Sequence, residues 1–155
     1  MNRPIVLLLM LTACDTALHF REGISPSCRE AMNHSDFQFI QQEIFAPSCS
    51  LSSSCHKGTR PAGELNLETA KAYDQLVNKV SRLPDWVRVV PEEPDMSYIL
   101  VKLGRIQGPL GMNGSRPGTT MPPDQPLCEE KIDAVRRWIE AGAPGLTTVD
   151  AGAGD

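Results

Sequence analysis

Four side chains carry the chemistry open to this chain: the thiols of Cys49 and Cys55, the imidazole of His56 next to the second thiol, and the thioether of Met121 within Thr120-Met121-Pro122-Pro123. Thiols can add to unsaturated carbon, pair as a disulfide or bind a soft metal, while imidazole and thioether are neutral ligands for iron or copper. A histidine beside a thiol that anchors a metal-bearing group is carried beneath the metal, and a distant methionine can close the opposite face. Five residues, Ser50-Leu51-Ser52-Ser53-Ser54, separate the two thiols. On that spacing alone, a disulfide across a serine loop with an exposed His56 is the better reading. Met112 rivals Met121, but Pro122 and Pro123 stiffen the chain behind Met121 and hold its sulfur at low entropic cost. Met32 and Met96, in or near helices, read as packing residues. His19 and His34 read as solvated, as does Lys57, and Trp138 reads as core.

These residues need elements to position them. Ser35-Asp36-Phe37-Gln38 has the form of a capping box with Ser35 as the cap, and Phe37, Ile40 and Ile44 follow at helical spacing with Phe39 adding bulk. This predicts a short helix from about Asp36 to Ala46, limited by Pro47. Gly58, Pro61 and Gly63 mark a loop. A second helix is predicted from about Glu68 to Asn78 on Tyr73, Leu76, Val77 and Val80. A third opens at Pro94 or Asp95, with Tyr98, Ile99 and Leu103 as its apolar stripe and Gly104 as its end. Between Gly104 and Pro126 glycines and prolines are too dense for a regular element, which predicts a loop wrapped over a site. The last helix, about Glu129 to Ala141, shows Ile132, Val135, Trp138 and Ile139 on one side and Gly142 as a left-handed stop.

The chain of 155 residues has room for one domain, and with 12 glycines, 13 prolines and only eight aromatic residues it has little to fill a large core. An apolar cofactor supplying buried volume fits that composition. At the N-terminus Arg3, the apolar run Ile5 to Leu11 and the sequence Leu11-Thr12-Ala13-Cys14 resemble a bacterial lipoprotein signal, in which Cys14 is acylated and becomes the first residue. The expected organisation is a signal peptide at 1–13, a tether at 14–34, a domain at 35–144 and a flexible tail at 145–155. The destination is the bacterial cell envelope, lipid-anchored and facing the periplasm. Without Arg3 the mature chain has 14 basic and 19 acidic side chains, a net charge of −5. That argues against nucleic-acid binding and favours a basic partner.

The order of elements resembles class I-like cytochrome c domains of bacterial exported proteins: a helix leading into Cys…Cys-His, a Met-Pro loop, and a last helix ending Trp-Ile-x-x-Gly-Ala. The matching residues are Ile44-Phe45-Ala46-Pro47-Ser48-Cys49, the Cys55-His56 pair, Met121-Pro122 and Trp138-Ile139-Glu140-Ala141-Gly142-Ala143. The spacing departs from the usual Cys-x-x-Cys-His. The resemblance implies an all-α, cytochrome c-like fold of about four short helices with long irregular loops, its first and last helices crossing through Phe37, Ile40, Phe39, Val135 and Trp138. It also implies haem c held through Cys49 and Cys55, with His56 and Met121 as iron ligands. The expected function is single-electron transfer to a redox protein partner, without catalysis, since both axial positions are filled. Once lipid and haem are assigned, Cys28 and Cys128 remain to pair as a disulfide. Cys128 also stands where a helix prefers an oxygen-bearing cap. The alternative is a haem-free lipoprotein of the same fold, with a Cys49–Cys55 disulfide, serving as a binding or structural module. A copper site is disfavoured by the helical pattern and by adjacent Cys55 and His56 as joint ligands, and zinc by the spacings.

Overall fold

The computed structural model describes residues 23–83, 86–106 and 118–146. Cys14, His19, Met112, the expected signal peptide and residues 147–155 of the expected tail lie outside the described residues. The chain forms the all-α class expected, as short helices joined by long irregular segments. The helices are α1 (Pro26–Ala31), α2 (Phe37–Ile40), α3 (Ala72–Leu76), α4 (Tyr98–Lys102) and α5 (Glu129–Glu140). Among the described residues there is no strand, only isolated bridges between Val77 and Val89 and between Val80 and Val87.

α2 starts one residue later than the capping box predicts. Asp36, not Ser35, is the cap, and its Oδ1 accepts from the Phe39 N–H at 2.8 Å. A carboxylate is the stronger acceptor at a helix N-terminus, where the backbone dipole favours negative charge. Pro47 does not end the helix. After Ile40 the chain continues as a π-helix, Gln41–Cys49, with Pro47 inside it. The wider π turn relieves the clash between the proline ring and the preceding carbonyl that would break an α-helix. The run thus reaches Cys49 itself.

α3 is shorter than predicted, although the Lys71 and Ala72 N–H groups already fold back on the Glu68 carbonyl. Val77 turns extended to meet Val89, which stops the helix. A 3-10 turn, Pro94–Met96, precedes α4. α4 buries Leu100 and Val101, whereas the predicted stripe of Tyr98, Ile99 and Leu103 is only partly buried. The difference comes from the late start, since Ser97, fully buried and bonded through Oγ to the Glu93 carbonyl, sets the rotation of α4.

α5 is the scaffold. Ile132, Ala134, Val135, Trp138 and Ile139 are buried, and the Trp138 ring lies 5.3 Å from Phe37, which also meets Tyr73 at 5.2 Å. Phe39 is buried as well, but it stacks on His34 at 4.2 Å. The helix ends in a paired cap: Ala143 N–H bonds to the Trp138 carbonyl and Gly142 N–H to the Ile139 carbonyl, with Gly142 at φ 88°. Trp138 Nε1 then donates to the Pro144 carbonyl at 2.9 Å and Tyr73 Oη to the Ala143 carbonyl at 3.0 Å. The Trp-Ile-Glu-Ala-Gly-Ala sequence therefore folds over itself and seals one end of the core.

Residues 26–31, read from sequence as tether, form α1 and lie against α5. Arg137 Nη2 donates to the carbonyls of Ala31 (2.7 Å) and His34 (2.8 Å), and Ala31 is fully buried. Cys28 and Cys128 are joined in a disulfide, with Cα atoms 6.3 Å apart. Cys128 occupies the N-cap of α5 and makes no capping bond through its side chain.

Candidate functional site

The π-helix delivers Cys49 to the edge of the core, and the chain then leaves and returns. His56 N–H donates to the Cys49 carbonyl at 3.0 Å, so the residues between are pinched off as a loop whose outer members, Leu51 to Ser54, are exposed. This disposes of the long spacer. The extra residues bulge outward while Cys49 and His56 stay locked at the base. Cys55 and Cys49 are both free thiols.

The two thiols differ chemically. Cys49 packs against the core with its Sγ toward the Ile44 carbonyl, and burial, reinforced by the nearby Cys55 charge, pushes its pKa up to about 12. Cys55 lies 3.3 Å from the Ser52 hydroxyl, which, with the Ser52 backbone, Ser54 and Lys57, holds its pKa below the ordinary thiol value. Cys55 is the readier nucleophile of the pair.

His56 is the most constrained member. Its Nδ1 faces two backbone carbonyls, Ala62 at 3.0 Å and Leu65 at 3.2 Å. Carbonyls only accept, so Nδ1 carries the proton and Nε2 keeps its lone pair. Burial also lowers the pKa of His56, outweighing those two carbonyls, which leaves the imidazole neutral at pH 7. A neutral ring with Nδ1–H bonded to a carbonyl and Nε2 bare is the form that ligates a metal. Among the described residues nothing bonds to Nε2.

The carbonyls stay in place because the loop behind His56 is braced. Leu67 N–H bonds to the His56 carbonyl at 2.7 Å, and the buried Gln41 of the π-helix donates through Nε2 to the Leu67 carbonyl at 2.9 Å. Asn66, 2% exposed, donates to the Gly58 carbonyl and to Glu68 Oε2, and its own oxygen accepts from the Glu68 N–H. Glu68 also accepts from the Gly58 N–H, where the backbone turns at φ 83°. The sequence pattern did not single out the Asn66-Leu67-Glu68 turn; the one signal that could have found it is an asparagine two residues before a carboxylate.

Met121 lies on a different segment. Its N–H donates to the Lys102 carbonyl at 2.6 Å, at the end of α4, and the Met121–Pro122 peptide is cis. Lys102 and Arg88 are the cations whose charges act on His56. Among the described residues no hydrogen bond joins Met121 to the Cys49–His56 loop. Met96 and Met32 are corrected from packing residues to surface ones, 62% and 46% exposed. The 3-10 turn throws Met96 outward and Met32 sits at the exposed end of α1. His34 is half-buried and bonded to Asp36 at 2.9 Å rather than simply solvated.

The donor types are those that haem c uses: two free thiols, a neutral imidazole in the ligating tautomer, and a thioether on a separate segment tied to the end of α4. No helix among the described residues is long and apolar enough to cross a membrane. Comparison with family models, curated proteins and solved structures finds no match to this chain.

Proposed function

We propose that this chain is an exported, lipid-anchored c-type cytochrome that carries single electrons at the periplasmic face of a bacterial membrane. The observation that carries this reading is the tautomer of His56, fixed by the Ala62 and Leu65 carbonyls, at the base of a loop that starts and ends with free thiols. Cys49 and Cys55 would hold haem c covalently, and His56 and Met121 would ligate its iron. The group would supply a one-electron couple between ferric and ferrous iron. The chain's own contribution is orientation and exclusion. The Nδ1–H bonds hold the imidazole plane and raise its basicity, and the Gln41–Leu67–His56 relay ties it to the core. With His56 and Met121 both committed to the iron, the protein would be a carrier and not a catalyst, and methionine ligation would raise the potential relative to two histidines. Acylation at Cys14 would anchor it, and its net negative charge suits a basic redox protein.

Expression alongside bacterial haem-attachment machinery, followed by intact mass and haem staining of a denaturing gel, tests the reading. A mature chain heavier by one haem, lost in Cys49→Ser and Cys55→Ser, is expected. A mature chain without that increment, or a mapped Cys49–Cys55 disulfide, overturns it in favour of a haem-free lipoprotein.

A further inference from the structure

Lys102 is tied to the Met121 segment twice. Its carbonyl accepts the Met121 N–H at 2.6 Å, and its ammonium donates to the Thr119 carbonyl. The fit around these bonds is close. A Cβ at Gly118 would come within 3.5 Å of Lys102 Nζ, and one at Gly104, where φ is +78°, within 3.3 Å of the Thr120 methyl. The C-terminal end of α4 and residues 118–121 therefore lie face to face. α4 is itself fixed, with Leu100 and Val101 in the core and Ser97 locked beneath it. No other described contact holds residues 118–121 by hydrogen bonds. We propose that Lys102 is the positioning residue for Met121, its main chain setting the depth of the segment and its ammonium fixing the segment's direction.

The chemistry behind the assignment is simple. Residues 118–126 form no helix, so the position of the Met121 sulfur depends on whatever anchors the nearby backbone. One neutral hydrogen bond leaves a segment free to pivot about it, whereas a second, charge-assisted bond two residues away removes the pivot. Lys102 supplies both from one residue. The significance of Met121 as an iron ligand rests on the function proposed above, but the latch itself is a property of the polypeptide.

The experiment compares wild type, Lys102→Leu and Lys102→Arg by amide hydrogen exchange and by absorption of the ferric protein. In Lys102→Leu, exchange at Met121 should accelerate by about tenfold or more, while α5 amides stay protected. Ferric absorption should move toward the high-spin form as the sixth ligand loosens. Lys102→Arg, which keeps a cationic donor, should restore both. Unchanged exchange at Met121 in Lys102→Leu overturns the latch, and so does a haem-loaded Lys102→Leu with a wild-type spectrum. If wild type carries no haem, the function proposed above fails and the exchange data alone decide the latch.

Discussion

Serine at both Cys28 and Cys128 removes a cross-link between the start of α1 and the cap of α5 while leaving almost every packed atom in place. The bridged residues are 100 apart in sequence. Closing a loop of that length restrains the unfolded chain by about 4.7 kcal/mol in the chain-entropy model, and natural disulfides commonly return about 2 to 4. Part of the native clamp survives the substitution, since Arg137 still holds the Ala31 and His34 carbonyls and Ala31 remains buried. A serine at 128 also restores a capping oxygen worth roughly 0.5 to 1 kcal/mol. The expected net loss is about 1 to 3.5 kcal/mol. With an unfolding entropy of roughly 0.25 kcal/mol/K for a domain of about 120 residues, the melting temperature falls by about 4 to 14 °C. Urea titration of wild type and the double variant, both without reductant, measures it. The double substitution matters because a single one frees a thiol that can pair with Cys49 or Cys55. A loss under about 0.5 kcal/mol, or Cys28 and Cys128 both alkylating in unreduced wild type, refutes the reasoning.

Other outcomes follow from single residues. In haem-free protein at neutral pH, iodoacetamide should label Cys55 well before Cys49, because hydrogen bonds lower the pKa of one thiol and burial raises that of the other to about 12; equal rates by peptide mapping refute the assignment. The raised pKa of Cys49 has a stability consequence in the same form of the protein. The unfolded thiol ionises near pH 9.0 and the folded one near 12, so the folded state is fully favoured below pH 9 and loses that preference as pH rises toward 12. Cys49→Ala should flatten the alkaline limb of a stability-versus-pH series. Trp138→Ala removes a fully buried ring packed on Phe37 and its bond to Pro144, and should cost about 3 to 5 kcal/mol by urea titration. Gly104→Ala forces a side chain into a left-handed backbone at φ +78° and against Thr120, and should cost about 1 to 2 kcal/mol, where a change within error counts against the close approach.

Much of the scaffold was legible from spacing. The apolar face of α5 and its Gly142 stop appear where periodicity and the glycine place them, because both depend on residues within a few positions of one another. The helix before Cys49 was also legible, to within one residue at its start, in its buried Phe37, Ile40 and Ile44. Its end was not. Whether Pro47 breaks a helix or rides within a π turn depends on how tightly that turn is held by Gln41, Lys131 and the core, which no local rule reports. The rotation of α4 was misread for a similar reason, since a buried Ser97 hydroxyl bonded to a preceding carbonyl overrides the apolar stripe.

The candidate site divides the same way. Sequence alone determined which side chains have the chemistry: two thiols, an adjacent imidazole, a thioether before proline, and two further cysteines left to pair. These are matters of residue type and order. Only the tertiary structure decided that a five-residue spacer leaves Cys49 and His56 hydrogen-bonded at the base of a loop, that Nδ1 rather than Nε2 of His56 is spent on backbone carbonyls, and that Lys102 ties the Met121 segment to the end of α4. Each of those depends on a backbone group that every sequence carries equally. A carbonyl has no letter in the sequence, so its position becomes a chemical fact only when the chain has folded.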